Sequence, residues 1–396
     1  MDTTHLRGQL DELFGPGAAK RAEAIRQRLR ENLHGASGIL IYGSGRTGRT
    51  IARALKSAGL APLAFLDDTP CKQGIEIDGL AVCSPVEARR RYGDGPTVLV
   101  AIFSPGHSFR GTRRRLEELG FRSVLSLFAV AACLPEKLLP FYFFDRPERV
   151  LAARDSYYRL FDALSDRRSR EELVAHLRFR LEVDLEVLPE PVGLDYGYFA
   201  GRLADNVGFI DGGAFDGDSV RAFFQLAGCR FSRVIAFEPD ALSFGKLTMY
   251  WQGLPDSVRE RVELRNAGLW SGSTRLQFNA TGTLGSSLGN GQGSEVAVVA
   301  LDDLPHASFP LFIKYDVEGA ERDALLGARR LLARGDTALA VAVYHRADDL
   351  WSLPALIREI NPAYRFGLRS HMDDGADLML YAVPPSLRTA QVMECN

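Results

Sequence analysis

The sequence has 396 residues, of which 46% are hydrophobic and 25% are charged, and its formal net charge is −2 at pH 7. This length fits two domains with packed cores, and the composition excludes a disordered chain. The near-neutral charge argues against nucleic acid as a partner, and no apolar run approaches the roughly 18 residues that a membrane span requires.

The cysteines and the start of the sequence bear on the compartment. The sequence has 5 cysteines, and none forms a Cys-x-x-Cys pair. This pattern predicts reduced thiols and no zinc site. The first residues, MDTTHLRGQLDELF, lack the uninterrupted apolar core of a signal peptide. We therefore expect a cytoplasmic protein.

Residues 1–37 are expected to form an N-terminal helical segment. Within it, residues 18–33 place small and aliphatic side chains on one face and Lys or Arg elsewhere. This periodicity predicts a basic amphipathic helix. The first interpretation is packing against the following domain, and the alternative is contact with a membrane surface or a partner protein.

Strands and helices alternate over residues 38–128, within a predicted domain of residues 38–135. The predicted strands include 39–42, 62–68 and 97–103, and the predicted helices include 47–59 and 85–92. Such alternation is typical of a parallel sheet covered by helices. It predicts a Rossmann-like nucleotide-binding domain.

A glycine-rich turn follows the first of these strands and has the G-x-G-x-x-G spacing. Glycines at this spacing admit a pyrophosphate at the N-terminus of a helix, and an acidic residue about 20 positions further on holds a ribose. The residues that match or flank this fingerprint are Gly43, Gly45, Arg46, Gly48, Asp67 and Asp68.

The run IYGSGRTG…AFLDD…GIEIDGLAV resembles the small N-terminal Rossmann domains of enzymes that modify nucleotide-activated sugars. The resemblance implies a nucleotide sugar at this loop. Two other interpretations stay open, namely a degenerate domain that is structural or forms a homo-oligomer, and an NAD-dependent activity. The NAD interpretation lacks a second mononucleotide half and a partnered catalytic Lys or Tyr.

Residues 136–204 are expected to form a helical connector. Ser169, with Glu172 three positions later, is a candidate helix cap. Prolines and glycines towards the end of the connector indicate irregular structure. Three aromatic residues there are candidates for walling a pocket: Tyr196, Tyr198 and Phe199.

A second alternation of strands and helices spans residues 205–396. Its last two predicted strands follow each other closely, which predicts an antiparallel pair at one end of a parallel sheet. A Gly/Ser-rich stretch from Phe278 to Ser294 interrupts the alternation. It is either a cover over the acceptor site or an ordinary hairpin loop.

A second glycine-rich turn, FIDGGAFDGDS, begins this region. Its glycines let the backbone approach a ligand beyond the strand end, whereas Asp211, Asp216 and Asp218 would repel a pyrophosphate. A sulfonium cation with an amino-acid tail would not be repelled. The next strand ends at Glu238, whose carboxylate can accept both hydroxyls of a ribose.

Six motifs then occur in order: IDGGAFDGDS, AFEPD, NAGLW, LDDL, FIKYDVEGAERDALLGA and the dipeptide YH. Together they resemble the FkbM family of S-adenosylmethionine-dependent O-methyltransferases. The resemblance implies a class I methyltransferase fold with a seven-stranded sheet for residues 205–396. The expected fold class is thus α/β, with two Rossmann-like parallel-sheet domains joined by a helical connector.

The resemblance also implies the cofactor site. S-adenosylmethionine would lie over the first two strand ends, with its methionine end at the glycine turn and its adenine beyond the ribose. The residues assigned to it are Asp211, Gly212, Gly213, Ala214, Phe215, Asp218, Ser219, Glu238, Pro239, Asn266 and Ala267.

Charged side chains follow the strand predicted at FIKYDV. Lys314, Asp316 and Glu318 alternate, so they share one face of an extended segment. Methyl transfer requires that the acceptor hydroxyl be aligned with the methyl–sulfur bond and lose its proton. The candidate base is Asp316 or His345, with Lys314 as a further catalytic residue. The expected acceptor-binding residues are Glu318, Glu321, Tyr344 and His371.

Several of these assignments have alternatives. Glu318 and Glu321 lie in the first turn of a predicted helix and can simply favour its dipole, and Lys314 can be an ion-pair partner of either. A divalent metal held by Asp316, Glu318 and His345 is a further interpretation, because carboxylates suit magnesium, although no dedicated spacing indicates it.

The sequence thus predicts an S-adenosylmethionine-dependent O-methyltransferase. Its acceptor, a hydroxyl of a sugar, a nucleotide sugar, or a glycan or natural-product precursor, follows from the resemblance alone. The alternatives are a non-catalytic nucleotide-binding or scaffold protein with a methyltransferase fold, and an NAD-dependent oxidoreductase that uses the first glycine loop.

Overall fold

The computed structural model describes residues 3–104, 106–193, 196–279, 287–288, 294–305 and 310–387. The chain divides into two units. The first comprises Met1–Arg154, Glu171–Pro191 and Met372–Ala376, and the second comprises Asp155–Arg170, Val192–His371 and Asp377–Asn396. The domain boundaries proposed from the sequence at 38, 136 and 205 stay predictions. No helix in these described ranges is long and apolar enough to cross a membrane.

The helices are α1 (Thr4–Leu13), α2 (Ala18–His34), α3 (Arg46–Ser57), α4 (Pro85–Tyr92), α5 (Phe109–Glu118), α6 (Leu127–Cys133), α7 (Pro135–Leu138), α8 (Pro147–Ala152), α9 (Arg154–Ala163), α10 (Arg167–Glu182), α11 (Asp218–Ala227), α12 (Ala241–Gln252), α13 (Asp256–Arg259), α14 (Glu321–Leu326), α15 (Arg329–Ala333) and α16 (Asp349–Ile360).

The strands are β1 (Ile39–Tyr42), β2 (Pro62–Leu66), β3 (Glu76–Ile77), β4 (Leu80–Cys83), β5 (Thr97–Val100), β6 (Ser123–Ser126), β7 (Val207–Gly212), β8 (Phe231–Phe237), β9 (Val262–Arg265), β10 (Gly268–Leu269), β11 (Thr274–Asn279), β12 (Ser287–Leu288), β13 (Ser294–Val299), β14 (Leu311–Tyr315), β15 (Thr337–Ala342), β16 (Arg365–Ser370) and β17 (Leu378–Val383).

The first unit contains the parallel sheet that its sequence rhythm predicts. Its strand order is β3-β4-β2-β1-β5-β6, and every pairing except β3 with β4 is parallel. Strands β1 and β5 are buried along their whole length, as expected for apolar runs covered on both faces. The prediction of a Rossmann-like arrangement of strands and helices here is confirmed.

The N-terminus of α10 differs from the prediction. Ser169 lies inside this helix, and Asp166 accepts a hydrogen bond from the backbone N–H of Ser169 at 2.8 Å. Asp166, directly before the first helical residue, is therefore the capping residue, because a short side chain outside the helix can reach its unpaired N–H groups. The assignment of Ser169 as the cap was wrong.

The second unit contains the predicted methyltransferase-type sheet. Within the described residues it has seven strands in the order β16-β17-β15-β14-β7-β8-β9, and β17 alone runs antiparallel to its neighbours. The antiparallel pair of last strands is thus confirmed. A smaller sheet, β10-β13-β11-β12, contains the strands around the Gly/Ser-rich stretch. Most of 278–294 lies outside the described residues.

Aromatic side chains fill the core beneath this sheet. Phe209 stacks on Phe223 with ring centroids 4.4 Å apart, and Phe312 packs against Phe209 at 5.1 Å. Tyr196 and Phe199 are completely buried in the same cluster. These two residues therefore belong to the core and do not wall an open pocket, which corrects that expectation. Tyr198 stacks on Tyr381 at a centroid distance of 5.0 Å.

Six of the seven strands run in one direction and end at one edge of the sheet, where the antiparallel strand begins. Strands β7, β8, β14 and β15 run in the same direction, so their carboxyl ends meet at this edge. Strand β17 begins beside the end of β15, because Met379 pairs with Ala342. Ligands of open α/β sheets bind beyond such an edge. The candidate site is built there.

Candidate active site

The glycine turn after β7 lies directly against the end of β14. Gly213 has a φ of +80°, and a Cβ atom built on it would lie 1.9 Å from the carbonyl oxygen of Asp316. Only glycine fits such a position. Phe215, two residues later, has a φ of +46°, an uncommon conformation for a bulky residue. A ligand bound on this turn would therefore lie beside Asp316.

The carboxylate of Glu238 ties the turn to the end of β8. Its Oε2 accepts the N–H of Phe215 at 2.9 Å, and its Oε1 accepts the N–H of Asp240 at 2.8 Å. Asn266 donates to the carbonyl of Glu238 at 2.8 Å and to that of Pro239 at 3.3 Å. Burial raises the pKa of Glu238 to about 7. Each carboxylate oxygen has a second lone pair, so Glu238 can still accept ribose hydroxyls.

A buried ion pair lies beneath the turn. The ammonium of Lys314 lies 3.4 Å from Oδ1 of Asp211 and 3.6 Å from Oδ2 of Asp316, and it donates to the carbonyl of Gly213 at 2.7 Å. Ser219 donates its hydroxyl to the other oxygen of Asp211. Burial opposes the charge of Lys314, but the carboxylates of Asp211 and Asp316 keep its pKa above its usual value. The ion-pair partners of Lys314 are thus Asp211 and Asp316, whereas the sequence suggested Glu318 or Glu321.

The other predicted cofactor residues lie on the same turn or near the end of β9. Asp218 begins α11 and accepts the N–H of Ser219 at 2.7 Å. Ala214 is buried, and its N–H donates to the carbonyl of Phe237 at 3.0 Å. A Cβ on Gly212 would lie 2.7 Å from the side chain of Leu269. Ala267 is buried in the segment between β9 and β10.

The predicted acceptor side gathers around His345. Its Nδ1 lies 2.8 Å from Oε1 of Glu321, and its Nε2 lies 3.5 Å from Oδ1 of Asp316 and 3.5 Å from Oε2 of Glu318. The hydroxyl of Tyr344 donates to Oδ1 of Asp316 at 3.3 Å. Although burial lowers the pKa of His345, the surrounding carboxylates raise it to about 10. Burial raises the pKa of Glu318 to about 8.

Glu321 holds the backbone of this site as well as its histidine. Its Oε1 accepts the N–H groups of Val317 at 2.9 Å and Gly319 at 3.3 Å, and its side chain is fully buried. Glu318, between these residues, has a φ of +54°. Residues held in such sparsely populated conformations occur preferentially at functional sites.

Two acidic residues of this region were not identified from the sequence. Asp377 directly precedes β17, and burial together with the charge of Asp316 raises its pKa to about 7. Asp349, at the start of α16, is buried and accepts the N–H of Arg346 at 2.7 Å. The antiparallel direction of β17 is the signal that could have identified Asp377, because such a strand begins at the edge where its parallel neighbour ends.

His371 lies at the end of the outermost strand, β16. Its Nδ1 lies 2.9 Å from the carbonyl oxygen of Val192, and its Nε2 lies 2.9 Å from the hydroxyl of Tyr381. The carboxylate groups around His345 are two strands away in the sheet order. The part that His371 plays in acceptor binding therefore stays a prediction.

In the first unit, the acidic residues of the fingerprint have internal partners. Asp67 accepts hydrogen bonds from the N–H of Ser44 at 3.2 Å and from Lys72 at 3.0 Å. Asp68 accepts from Tyr42 and Arg115. Asp67 and Asp68 are thus already engaged on the side where a ribose would be recognised.

The glycines of this loop have distinct surroundings. A Cβ on Gly48 would lie 1.9 Å from the carbonyl oxygen of Gly43, so Gly48 allows α3 to pack on the loop. Gly43 has a φ of +105°, and the Cβ position of Gly45 faces open space. A cavity of about 220 Å³ lies beside the start of α3 and is lined by residues that include Arg46, Thr47, Phe103, Lys137, Phe141 and Tyr142.

Comparison with known proteins identifies the domain that holds the candidate active site. Residues 211–367 match the profile of the Methyltransferase FkbM domain. The chain carries an FkbM methyltransferase domain. No curated protein matches the sequence.

Solved structures extend this comparison beyond the FkbM domain. Methyltransferase FkbM from Methylobacillus flagellatus KT is 23% identical, with a TM-score of 0.73 over 96% of this chain and 98% of that chain. At this identity the likeness shows the fold alone. A putative rRNA methylase from Clostridium thermocellum is 10% identical, with a TM-score of 0.33 over 48% of this chain and 92% of its own. A putative methyltransferase from Streptococcus mutans, in complex with SAH, is 13% identical, with a TM-score of 0.31 over 50% of this chain and 99% of its own.

Proposed function

We propose that the FkbM domain binds S-adenosylmethionine and transfers its methyl group to a hydroxyl of a carbohydrate or a related small molecule. The observation that carries this proposal is the contact between the glycine turn and Asp316. Because Gly213 touches the carbonyl of Asp316, a cofactor on the turn and an acceptor at the Asp316 carboxylate would be neighbours. Such proximity is the main requirement of an in-line transfer.

Each group of the site has a role in this reaction. Glu238 accepts the ribose hydroxyls, and the acidic surroundings of the turn suit a sulfonium cation. The acceptor oxygen attacks the methyl carbon, the methyl–sulfur bond breaks, and its electron pair goes to sulfur. The hydroxyl proton passes to the carboxylate of Asp316, because His345, whose pKa the surrounding carboxylates raise to about 10, already carries its proton near neutral pH. Lys314 holds Asp316 and the turn in position.

Titration calorimetry with S-adenosylmethionine tests the cofactor part of the proposal. We expect binding by the wild type and at least tenfold weaker binding by Glu238→Gln. Glu263→Gln is the matched control, because Glu263 lies on the neighbouring strand β9 and pairs with the surface residues Arg233 and Arg265. The proposal fails if the folded wild type does not bind the cofactor.

The acceptor part needs a separate measurement. Transfer of a labelled methyl group should be tested on a panel of free sugars, nucleotide sugars and polyhydroxylated small molecules. Labelled product that retains the methyl group through mild base treatment indicates an ether and supports a hydroxyl acceptor, whereas loss under base indicates an ester. Label in amino compounds alone would contradict the hydroxyl assignment.

We further propose that the first unit binds a nucleotide sugar beside α3. Arg46 and Lys137 line the cavity there, and the side chain of neither forms an ion pair or hydrogen bond with any residue that the structure describes. Phe103 and Tyr142 offer flat apolar surfaces in the same cavity. Two cations beside aromatic rings suit a phosphate group attached to a base.

Thermal-shift measurements with UDP-, GDP- and dTDP-sugars test this second proposal. We expect stabilisation by at least one nucleotide sugar and its loss in Arg46→Ala, with Arg53→Ala on the same helix as the control. Stabilisation by NAD alone would favour the oxidoreductase alternative, and no stabilisation by any nucleotide would favour a structural domain.

A further inference from the structure

We propose that Asp316, Glu318 and Nε2 of His345 bind a divalent cation, such as Mn²⁺ or Mg²⁺, on the acceptor side of the FkbM domain. The inference rests on the proposed function for the role of the cation but not for its binding. Nitrogen and oxygen ligands of this mixture suit cations of hard to intermediate character.

Two separations centred on His345 support a shared cation. Nε2 of His345 lies 3.5 Å from an oxygen of Asp316 and 3.5 Å from an oxygen of Glu318. Ligands that each lie about 2.1 Å from a cation are about 3.0 to 3.4 Å apart at octahedral to tetrahedral angles. The observed separations are therefore long for good hydrogen bonds but close to those of ligands that surround one ion.

The imidazole nitrogen that faces these carboxylates has no hydrogen-bond partner in the part of the chain that the structure describes. The side chain of His345 is only 3% exposed, so bulk water does not satisfy this nitrogen. A buried polar atom without a partner is costly, and a ligand that it binds would remove the cost. This unpartnered atom lies 3.5 Å from each of the two carboxylate oxygens.

Glu321 fixes the orientation that a cation requires. A carboxylate only accepts hydrogen bonds, so Nδ1 of His345 carries a hydrogen and Nε2 is the nitrogen that faces Asp316 and Glu318. A cation would take the place of the proton on Nε2. Metal-binding histidines commonly donate their other N–H to a carboxylate in this way. Glu321 is itself held by two backbone N–H groups. Asp316, Glu321 and His345 also form a cluster in which one potential ligand atom of each lies within 4.8 Å of the others. Because Glu321 already accepts the N–H of Nδ1 and two backbone N–H groups, we assign it as a positioning residue and the other three residues as the ligands.

The charges around the site favour an added cation over a bare lone pair. A neutral imidazole nitrogen opposite two carboxylates is repelled by both. Lys314 is shared between Asp211 and Asp316, whose combined charge exceeds its own. Either a proton on Nε2 or a metal ion can relieve the repulsion, but only a metal ion binds all three side chains at once.

A cation here would deepen the proposed reaction. If the acceptor hydroxyl bound to the cation, the cation would lower the pKa of that hydroxyl and hold its oxygen towards the methyl group. Coordination through Oδ1 of Asp316 would leave the proton to Oδ2, which also lies 3.6 Å from the ammonium of Lys314. The cation therefore adds to the role proposed for Asp316 and does not replace it.

The test is a titration of the full chain with Mn²⁺ after treatment with a chelator and in the absence of S-adenosylmethionine. The electron paramagnetic resonance signal of free Mn²⁺ measures how much of the ion is bound. We expect one site per chain and at least tenfold weaker binding by Glu318→Gln and by His345→Ala. The positioning variant Glu321→Gln should also bind more weakly, by roughly 10- to 100-fold. Asp323→Asn, on the same helix as Glu321, is the control and should bind as the wild type does.

Circular dichroism melting shows which variants are folded. Titration of the protein with S-adenosylmethionine in the presence of a chelator tests cofactor binding separately from cation binding. Saturable Mn²⁺ binding that Glu318→Gln weakens supports the site even if S-adenosylmethionine does not bind. Absence of Mn²⁺ binding at millimolar concentration, or equal binding by the wild type and folded Glu318→Gln, would overturn the site even if the cofactor binds. In that case a proton on His345 occupies the position.

Discussion

The ammonium of Lys314 lies 3.4 Å from the carboxylate of Asp211, and the side chains are 6% and 0% exposed. The two residues are on adjacent strands, β14 and β7, and are paired in register. Removing one partner of a buried pair leaves an uncompensated charge, which costs more than the pair itself contributes. The pair therefore couples the stability of the sheet to the position of the glycine turn.

Lys314→Met should lower the free energy of unfolding by about 3–5 kcal/mol, because Asp211 then remains charged and buried. The double variant Lys314→Met with Asp211→Asn should recover part of this loss. Urea unfolding measures both. Glu359→Gln, which removes a surface pair with Arg329, should change stability by less than about 1 kcal/mol. Equal stability of Lys314→Met and the wild type would show that the pair is not formed.

Gly213→Ala should destabilise the second unit and abolish cofactor binding. The left-handed backbone alone costs about 1–3 kcal/mol for a residue other than glycine, and the added methyl group would also collide with the carbonyl of Asp316. Gly245→Ala is the matched control, since its Cβ position in α12 meets no atom within 4 Å. That control should gain about 0.5–1 kcal/mol. Unfolding curves of both variants measure the change in stability, and calorimetry measures whether each variant still binds the cofactor.

Part of this arrangement could be predicted from the sequence. Alternating apolar and glycine-rich segments indicate parallel strands, and parallel strands bring their carboxyl ends to one edge. Glu238, Asp316 and His345 each follow such a strand, so their positions along the chain are enough to predict that these side chains lie near one another. The seven-stranded sheet followed from the family resemblance, and the antiparallel pair at its end followed from the short connection between the last two strands.

The rest depends on side-chain geometry that no spacing encodes. The sequence places Lys314 two residues before Asp316 and four before Glu318, whereas its buried partner Asp211 comes from another strand. Asp67 satisfies the dinucleotide fingerprint by position, yet its hydrogen bonds to Ser44 and Lys72 engage it within the first unit. Asp377 reaches the site only because β17 reverses direction. Long-range contacts of this kind appear only when the chain is folded.

Cofactor affinity and stability should respond oppositely to pH through Glu238. Burial raises the pKa of this residue from 4.5 to about 7. The hydrogen bonds from the backbone N–H groups of Asp240 and Phe215 and the charge of Lys314 lower the pKa, but by less than burial raises it. The carboxylate form accepts ribose hydroxyls, so affinity for S-adenosylmethionine should fall as the pH falls through about 7. The folded state binds this proton more tightly than the unfolded state, so this group adds stability as the pH falls from about 7 to 4.5.

Calorimetry at pH 6 and pH 8 measures how cofactor affinity depends on pH, and urea unfolding at the same two pH values measures how stability depends on pH. Glu238→Gln does not titrate, so both slopes should be smaller in this variant than in the wild type. Glu263→Gln should keep the slopes of the wild type. If Glu238→Gln and the wild type show the same pH dependence of affinity, then Glu238 does not control cofactor binding.

Tyr344→Phe should separate the acceptor side from the cofactor side. The tyrosine hydroxyl donates to Oδ1 of Asp316 at 3.3 Å, and the ring also packs on His345 with centroids 4.2 Å apart. Phenylalanine keeps the ring but removes a hydrogen bond worth about 1 kcal/mol, so kcat should fall by roughly fivefold. The Kd for S-adenosylmethionine, measured by calorimetry, should not change, because Glu238 and the glycine turn are intact. A large rise in that Kd with unchanged kcat would instead place Tyr344 on the cofactor side.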